Sequence, residues 1–229
     1  YVRQNQELSY EIGVSFPFNL GPVNVKSSYT VQSFDNRYNG FGIEKQNFIT
    51  PAISNLGAGE ELTYGDEDFY HARDGGSVIT NEINFKDQFF MTLSNRSDFG
   101  SMIGAKAANI KYNGMRLGWR ADETLSFLPS FITMIKPRWA YGESGVLPGL
   151  RDNIELLWES ESGGAGSGGV LSEIGNTEIE PEKIAETEIG FDAEMYLPAN
   201  LGALSVEFTS YNQKASQSLV GIENSPSTG

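Results

Sequence analysis

The amino-acid sequence predicts an all-β fold of antiparallel strands, because three features of its 229 residues agree. Hydrophobic and polar residues alternate with a period of two in several runs, and Gly-, Pro- and Asn-containing turns separate these runs. No apolar run approaches the roughly 20 residues that a membrane helix needs. The connections between successive runs are alternately short and long, a regularity expected of antiparallel strands, each of which reverses the chain direction.

The first two predicted strands form a hairpin. Residues 8–16 alternate between apolar and polar side chains up to the turn sequence PFNLGP, and residues 23–32 alternate again. About forty residues without a clean period follow, from position 34 to position 76, and we interpret them as a long loop.

Four more strands are predicted in the middle of the chain. Residues 78–85 and 89–94 flank a tight KDQ turn, and residues 110–119 form a fifth strand. The apolar phase of the fifth strand changes at Asn113 and Gly114, which predicts a β-bulge. The segment LSFLPSFITM is either a short helix or an apolar turn, and a sixth strand carries Trp139 and Tyr141 on one face.

The last two predicted strands alternate most strictly. Residues 186–197 and 204–211 flank the turn PANLG, whereas residues 143–182 before them are irregular and include the flexible low-complexity stretch SGGAGSGG. One face of this pair is acidic and comprises Glu186, Glu188, Asp192, Glu194 and Glu207. The opposite face is mainly apolar and comprises Thr187, Ile189, Phe191, Met195, Leu204, Val206 and Phe208.

Two architectures can use such strands. In a soluble sandwich the apolar face packs on a second sheet, and in an outer-membrane barrel it contacts lipid while the polar face lines an aqueous lumen. Short turns at one end, long loops at the other and aromatic residues near the short turns favour the barrel. We therefore predict an antiparallel up-and-down transmembrane β-barrel segment of about eight strands, with short periplasmic turns and long extracellular loops. The aromatic residues are Phe16, Phe18, Phe85, Phe89, Phe90, Trp119, Phe127 and Tyr196.

Composition excludes several functional classes. The chain has 30 acidic and 16 basic residues and a formal charge of −14, which argues against a nucleic-acid partner. It contains no cysteine, so disulfides, thiolate metal sites and a thiol nucleophile are excluded.

Three groups of residues could suggest chemistry, and for each a simpler interpretation is favoured. His71 is the only histidine and no Gly-x-Ser-x-Gly motif accompanies it, so we interpret it as a solvated loop residue. Asp66, Glu67, Asp68 and Asp74 are hard oxygen ligands, but their spacing does not match a calcium loop. Glu186, Glu188, Asp192 and Glu194 could supply a glycosidase acid/base pair, but a row of like charges facing a lumen needs no catalytic role. We predict no catalytic, cofactor or metal site.

Four stretches, spread over residues 78–220, resemble the C-terminal barrel region of TonB-dependent outer-membrane transporters, in particular the SusC/RagA-like group. They are INFKDQFFMTLSNRSDFGSMIG, MIKPRWAYGESGVLPG, GNTEIEPEKIAETEIGFDAEMYL and LSVEFTSYNQKASQSLV. The pattern departs from the group at Thr177, where proline is usual, and in the Gly/Ser insertion.

The resemblance implies a function for the parent protein. It implies energised uptake of a large nutrient, such as an oligosaccharide or peptide, across the bacterial outer membrane. The implied partners are outer-membrane lipid, a TonB-type complex acting through a plug domain, and a SusD-like surface lipoprotein. No plug is recognisable in residues 1–229, so we expect a partial barrel domain whose acidic lumen favours neutral or cationic cargo. The alternatives are a soluble extracellular β-sandwich binding module and a small self-contained eight-stranded outer-membrane barrel.

Overall fold

The computed structural model describes residues 1–52, 55–104, 110–149, 151–163, 166–197 and 202–222. Within these residues the chain forms ten strands, one short helix and one turn of 3₁₀-helix at Leu56–Ala58. The strands are β1 (Val2–Leu20), β2 (Val23–Phe48), β3 (Gly59–Phe85), β4 (Phe89–Gly100), β5 (Ile110–Trp119), β6 (Ile132–Val146), β7 (Leu157–Gly163), β8 (Gly166–Glu173), β9 (Glu182–Tyr196) and β10 (Ala203–Ser216), and the helix is α1 (Ala121–Thr124).

Eight of the strands form one antiparallel sheet in the order β1-β2-β3-β4-β5-β6-β9-β10. Each strand pairs with its sequence neighbour except at the step from β6 to β9, where β7 and β8 form a separate hairpin. The sheet curls into a half-barrel. The predicted all-β barrel segment of about eight antiparallel strands is therefore confirmed.

The short connections lie at one end of the sheet. Gly21 and Pro22 join β1 to β2, residues 86–88 join β3 to β4, and residues 120–131, which contain α1, join β5 to β6. Gly21, Lys86 and Asp87 have φ values of 60°, 54° and 55°, so these tight turns use the left-handed backbone conformation of primed hairpin turns. Most of the predicted PANLG turn, positions 198–201, lies outside the described residues.

The long connections lie at the opposite end, and two of them are more ordered than predicted. The stretch from 34 to 76 is not one long loop, because β2 continues to Phe48 and β3 begins at Gly59. The region between β6 and β9 contains the β7–β8 hairpin, and in the predicted flexible stretch SGGAGSGG the described residues 162–163 and 166–169 take part in its strand pairing. The upper part of the β2–β3 hairpin lacks hydrophobic alternation, because its backbone ladder and polar side-chain contacts such as Asp35–Arg73 hold it together without an apolar face.

The predicted bulge at Asn113 and Gly114 is wrong. The β4–β5 register runs without a shift from Phe89 opposite Trp119 to Asp98 opposite Ile110. The change of apolar phase arises because Tyr112 belongs to the polar face, where it is only 5% exposed. A Cβ atom at Gly145 would overlap the Tyr112 ring, so this glycine leaves the ring its space.

The register separates the sheet into two faces. The polar face carries the five carboxylates predicted above, and the other, here called the apolar face, carries hydrophobic side chains on every main strand. On the apolar face Ile12, Ile189 and Phe208 are 77%, 62% and 53% exposed, so no second sheet of the described chain covers it. The apolar face includes Val14, Phe16, Val25, Tyr29, Ile79, Ile83, Met91, Leu93, Leu117, Trp139, Phe191, Met195, Leu204 and Val206.

These observations weigh against both alternative folds. A β-sandwich would cover the apolar face with a second sheet, and the described chain has none there. A closed eight-stranded barrel would pair β1 with β10, whereas these strands are the two edges of the sheet. Among the described residues, no helix combines the length and the hydrophobicity needed to cross a membrane.

Candidate functional site: the polar face of the sheet

The five carboxylates predicted from the alternation share the polar face. Asp192 lies directly opposite Glu207 in the β9–β10 ladder, and Glu186, Glu188 and Glu194 occupy three further even positions of β9. The apolar residues of the same two strands lie on the other side, with Phe191 and Phe208 rings 5.8 Å apart. That the carboxylates face a lumen stays a prediction.

A single arginine of β6 binds two of these carboxylates. Arg138 donates from Nε to Asp192 Oδ1 at 3.1 Å and from Nη2 to Glu207 Oε1 at 2.8 Å. Nη2 also donates to Thr209 Oγ1 at 2.6 Å. We call these four residues the Arg138 cluster. The cluster links β6, β9 and β10, so it braces three strands and neutralises part of the acidic row.

A glycine makes the Arg138 cluster possible. Gly190 lies beside Arg138 in the ladder, and a Cβ atom at Gly190 would lie 3.2 Å from Arg138 Cζ and 2.4 Å from the Phe208 carbonyl oxygen. Because glycine has no side chain, the arginine can lie flat across β9 and reach β10.

A cavity of about 590 Å³ opens beside the cluster on the polar face. Arg116 of β5 stands on one side, and Glu186 and Glu188 of β9 stand on the other. Ala140 and Gly142 of β6 lie between them in the ladder and form a low floor. We call this the Arg116 pocket, and its volume falls within the range typical of small-molecule sites.

Several charges at the Arg116 pocket are not neutralised, although Arg138 and Glu143, which also line it, form ion pairs with Asp192 and Lys183. Arg116 has no hydrogen-bond or ion-pair partner within the described parts of the chain. Glu186 and Glu188 are alternate residues on the same face of β9, and neither forms an ion pair with a described cation. Lys136, also at the pocket, places Nζ 5.4 Å from the centre of the Phe90 ring.

Sequence reasoning did not find this juxtaposition. Because Arg116 and Leu117 are adjacent in β5, alternation places Arg116 on the face opposite to the apolar residue Leu117. Which acidic residues stand beside it depends on pairing β6 with β9 across the inserted β7–β8 hairpin, and no local pattern specifies that pairing.

A second polar cluster lies on the apolar face, beyond its hydrophobic part. Asp35 accepts hydrogen bonds from Arg37 Nε at 3.0 Å and Arg73 Nη2 at 2.8 Å, and His71 Nε2 lies 3.0 Å from its Oδ2. Together these contacts hold the pKa of Asp35 well below its ordinary value, and the contact with His71 contributes most. We call these four residues the Asp35 cluster.

The structure corrects the placement of His71 and its acidic neighbours. His71 is not a solvated loop residue, since it lies on β3 and contacts Asp35. Asp66, Glu67, Asp68 and Asp74 also lie on β3, so they do not form a loop. Across the described ranges, no group of three or more His, Cys, Asp or Glu residues has the arrangement of a metal site.

The chain was compared with known proteins. No protein-family model matches it. No curated protein sequence matches it either.

Solved structures do match, and they define the fold. The chain has the architecture of an outer-membrane β-barrel wall. It superposes on a structure of the RagAB peptide transporter with a TM-score of 0.86 and 14% identity, covering 97% of this chain and 25% of that one. A second structure, of the RagAB peptide importer in its open-open state, gives 0.78 and 14%, covering 91% and 23%.

A more distant match points to the same architecture. The siderophore receptor PirA from Acinetobacter baumannii matches with a TM-score of 0.52 and 13% identity, covering 93% of this chain and 34% of that one. The chain therefore has the fold of a TonB-dependent barrel region, as the sequence resemblance predicted. It spans about a quarter of the RagAB chains that it matches.

Proposed function

We propose that this chain is part of the barrel wall of a TonB-dependent outer-membrane transporter for energised uptake of a large nutrient. The main support for this proposal is the height of the apolar face. On β1 its hydrophobic residues run from Leu8 to Leu20. The twelve residue steps extend about 40 Å, and at a strand tilt of about 45° they rise about 28 Å, close to the height of about 25 Å of the apolar band of such barrels.

The two sheet edges support a wall rather than an independent unit. β1 and β10 each have one hydrogen-bonded neighbour in the described chain. In hydrocarbon an unpaired backbone group costs several kcal/mol, so further strands would have to pair with both edges. Eight strands would supply about a third of the roughly 22 in plugged transporters.

The polar face would then line the lumen, and the remaining functional elements would lie elsewhere in the protein. A plug domain would connect the barrel to a TonB-type complex, and a SusD-like surface lipoprotein would cap its extracellular side. The matched RagAB structures are of a peptide transporter or importer, and PirA is a siderophore receptor. These neighbours support a cargo too large for porins. The proposed substrate class is a peptide or, as the sequence resemblance implies, an oligosaccharide, and no enzymatic step is involved.

Uptake by intact cells tests this function. In a strain that lacks the complete protein, accumulation of labelled oligosaccharide and peptide mixtures is measured before and after the gene is restored, with and without a functional TonB. We expect one mixture to enter only when both proteins are present. Uptake of a sugar small enough for porins serves as the control and should not change. Accumulation that persists without TonB would contradict energised transport.

A further inference from the structure

We propose that the Arg116 pocket binds a zwitterionic peptide, with the ligand carboxylate at Arg116 and its ammonium group at Glu186 and Glu188. This inference rests on the proposed transport function and names the substrate class of its lumen. The observation behind it is that several charges of the pocket have no partner of opposite sign. Arg116 lacks a partner among the described residues, and the two glutamates have no described cation.

The geometry explains why these charges remain separate. Arg116, Ala140 and Glu188 are aligned across three neighbouring strands. Strands are about 4.8 Å apart, so the Cα atoms of Arg116 and Glu188 are about 10 Å apart. No ion pair forms between them, and only small side chains lie in between, so a ligand can be held above Ala140 and Gly142.

The charge arrangement selects a ligand with both signs. An anion alone would gain Arg116 but face two glutamates, and a cation alone would gain the glutamates but face Arg116 and Lys136. A short peptide with free termini satisfies both sides, because guanidinium binds carboxylate through charge-assisted hydrogen bonds and carboxylate does the same for ammonium.

A neutral oligosaccharide fits the pocket less well. Stacking of sugar rings needs an exposed aromatic surface, and Lys136 already covers the Phe90 ring at the pocket. The five-carboxylate row alone predicted neutral or cationic cargo. Arg116 and Lys136 add the positive side that makes the pocket dipolar.

Binding measurements on the complete transporter in detergent test the inference. The probes are trialanine, its N-acetyl form, its C-terminal amide, the doubly capped form and maltotriose, each titrated by calorimetry. Trialanine should bind the wild type most tightly. Arg116→Gln should weaken trialanine and the N-acetyl form about tenfold, the order expected for one charge-assisted hydrogen bond, and should not weaken the amide, whose ammonium group Arg116 repels. Glu188→Gln should weaken trialanine and the amide by a similar factor and should not weaken the N-acetyl form, whose carboxylate Glu188 repels.

The controls use the same face of the sheet. Lys26→Gln and Glu82→Gln each remove a charge from an exposed pair 3.8 Å apart on β2 and β3, and should leave every affinity unchanged. Heat-modifiable gel migration verifies that each variant is folded. Should Arg116→Gln fail to fold, Arg116→Lys should retain most of the affinity and Arg116→Met should lose it.

Three results would overturn the proposal. They are equal binding of capped and free trialanine, tighter binding of maltotriose, and no binding of trialanine at millimolar concentration. The same cells used for uptake separate this failure from failure of the proposed function. TonB-dependent uptake of another cargo without trialanine binding would refute only the pocket, whereas trialanine binding without TonB-dependent uptake would refute only the transport function.

Discussion

The strands have different side-chain patterns near the short turns, here called the lower part of the sheet, and near the long connections, here called the upper part. Near the short turns, β2 and β3 place Val25 and Ile83 on the apolar face and polar residues on the other. Further along the same two strands, the apolar face instead carries the Asp35 cluster, with Arg73 directly opposite Asp35. The backbone ladder continues through both parts, but the side-chain pattern does not.

The difference identifies what the surroundings demand of each part. Lipid on one face would favour an apolar residue at every second position, and the lower part follows this pattern apart from polar exceptions such as Ser27 and Asn81, which are hydrogen-bonded to each other at 2.7 Å. Beyond the band both faces would meet water and head groups, so a strand needs only its backbone hydrogen bonds. The upper part can therefore pair charges such as Asp35 and Arg73 on the face that is apolar lower down.

The largest expected effect comes from a charge placed in the lower part. Met115 lies on the apolar face between Leu93 and Tyr141, four residues from Trp119 at the short-turn end. We expect Met115→Arg to lower the free energy of unfolding by about 2–4 kcal/mol, the cost of arginine on a lipid face near the midplane. Urea unfolding of the complete protein in lipid vesicles measures it.

A matched control lies in the upper part of the same face. Phe69 on β3 is 59% exposed, and Phe69→Arg should change the stability by less than about 0.5 kcal/mol. Equal losses for the two variants would mean that the faces of the upper and lower parts have the same surroundings.

The next effect concerns the polar face of the lower part. Gly190→Val should destabilise the protein by about 1–3 kcal/mol, because its side chain would clash with the Phe208 carbonyl and displace Arg138. Gly142→Ala on the neighbouring strand is the control, since nothing lies within 4 Å of its added Cβ atom. Urea unfolding of both variants in the same vesicles compares them, and similar losses would contradict the structural role of the Arg138 cluster.

The sequence predicted the lower part of the sheet well. Alternation located its eight strands, the KDQ turn and the acidic row on β9, because an environment that differs between the two faces imposes a period of two. It did not predict the upper parts of β2 and β3 or the β7–β8 hairpin, where no such environment acts. The bulge at Asn113 was inferred wrongly, since Tyr112 is an aromatic residue buried on the polar face rather than a sign of slipped register.

The polar site was predicted only in part. Its carboxylates follow from alternation within one strand. Arg138 binds Asp192 and Glu207, which are 54 and 69 residues away in sequence. Contacts of that kind depend on the register of three strands, and local periodicity does not determine it.

A smaller effect is expected from the Asp35 cluster of the upper part. Its carboxylate has a pKa below the ordinary value of about 3.9, so its contribution to stability is present above that value and is lost as the pH falls through the folded-state pKa. Asp35→Asn should lower the urea midpoint at pH 7 and reduce its difference from wild type as the pH approaches 3.

Glu67→Gln is the control for this variant. Glu67 is exposed on the same strand as His71 and Arg73. It should leave the urea midpoint unchanged at both pH values. A constant difference between Asp35→Asn and wild type from pH 7 to pH 3 would show that the charge of Asp35 is not what stabilises the cluster.

Insertions in the connections at the two ends of the sheet should affect stability least, and they test on which side of the membrane each end lies. An epitope tag within residues 162–169, at the β7–β8 hairpin, should be detected by antibody on intact cells. A tag at Asn200, in the connection of β9 to β10, should be detected only after the cells are permeabilised. The opposite pattern would reverse the assignment of the long connections to the extracellular side.

Labelling of adjacent residues tests whether the two faces of β9 meet lipid and water. Phe191→Cys and Asp192→Cys are made separately in the complete protein, which has no cysteine in this segment. Each is treated on intact cells with a membrane-impermeant thiol reagent small enough to enter the lumen. We expect labelling at position 192 and little at position 191, because neighbouring residues of a strand point to opposite faces. Efficient labelling at position 191 would contradict the lipid-facing assignment and the barrel-wall account with it.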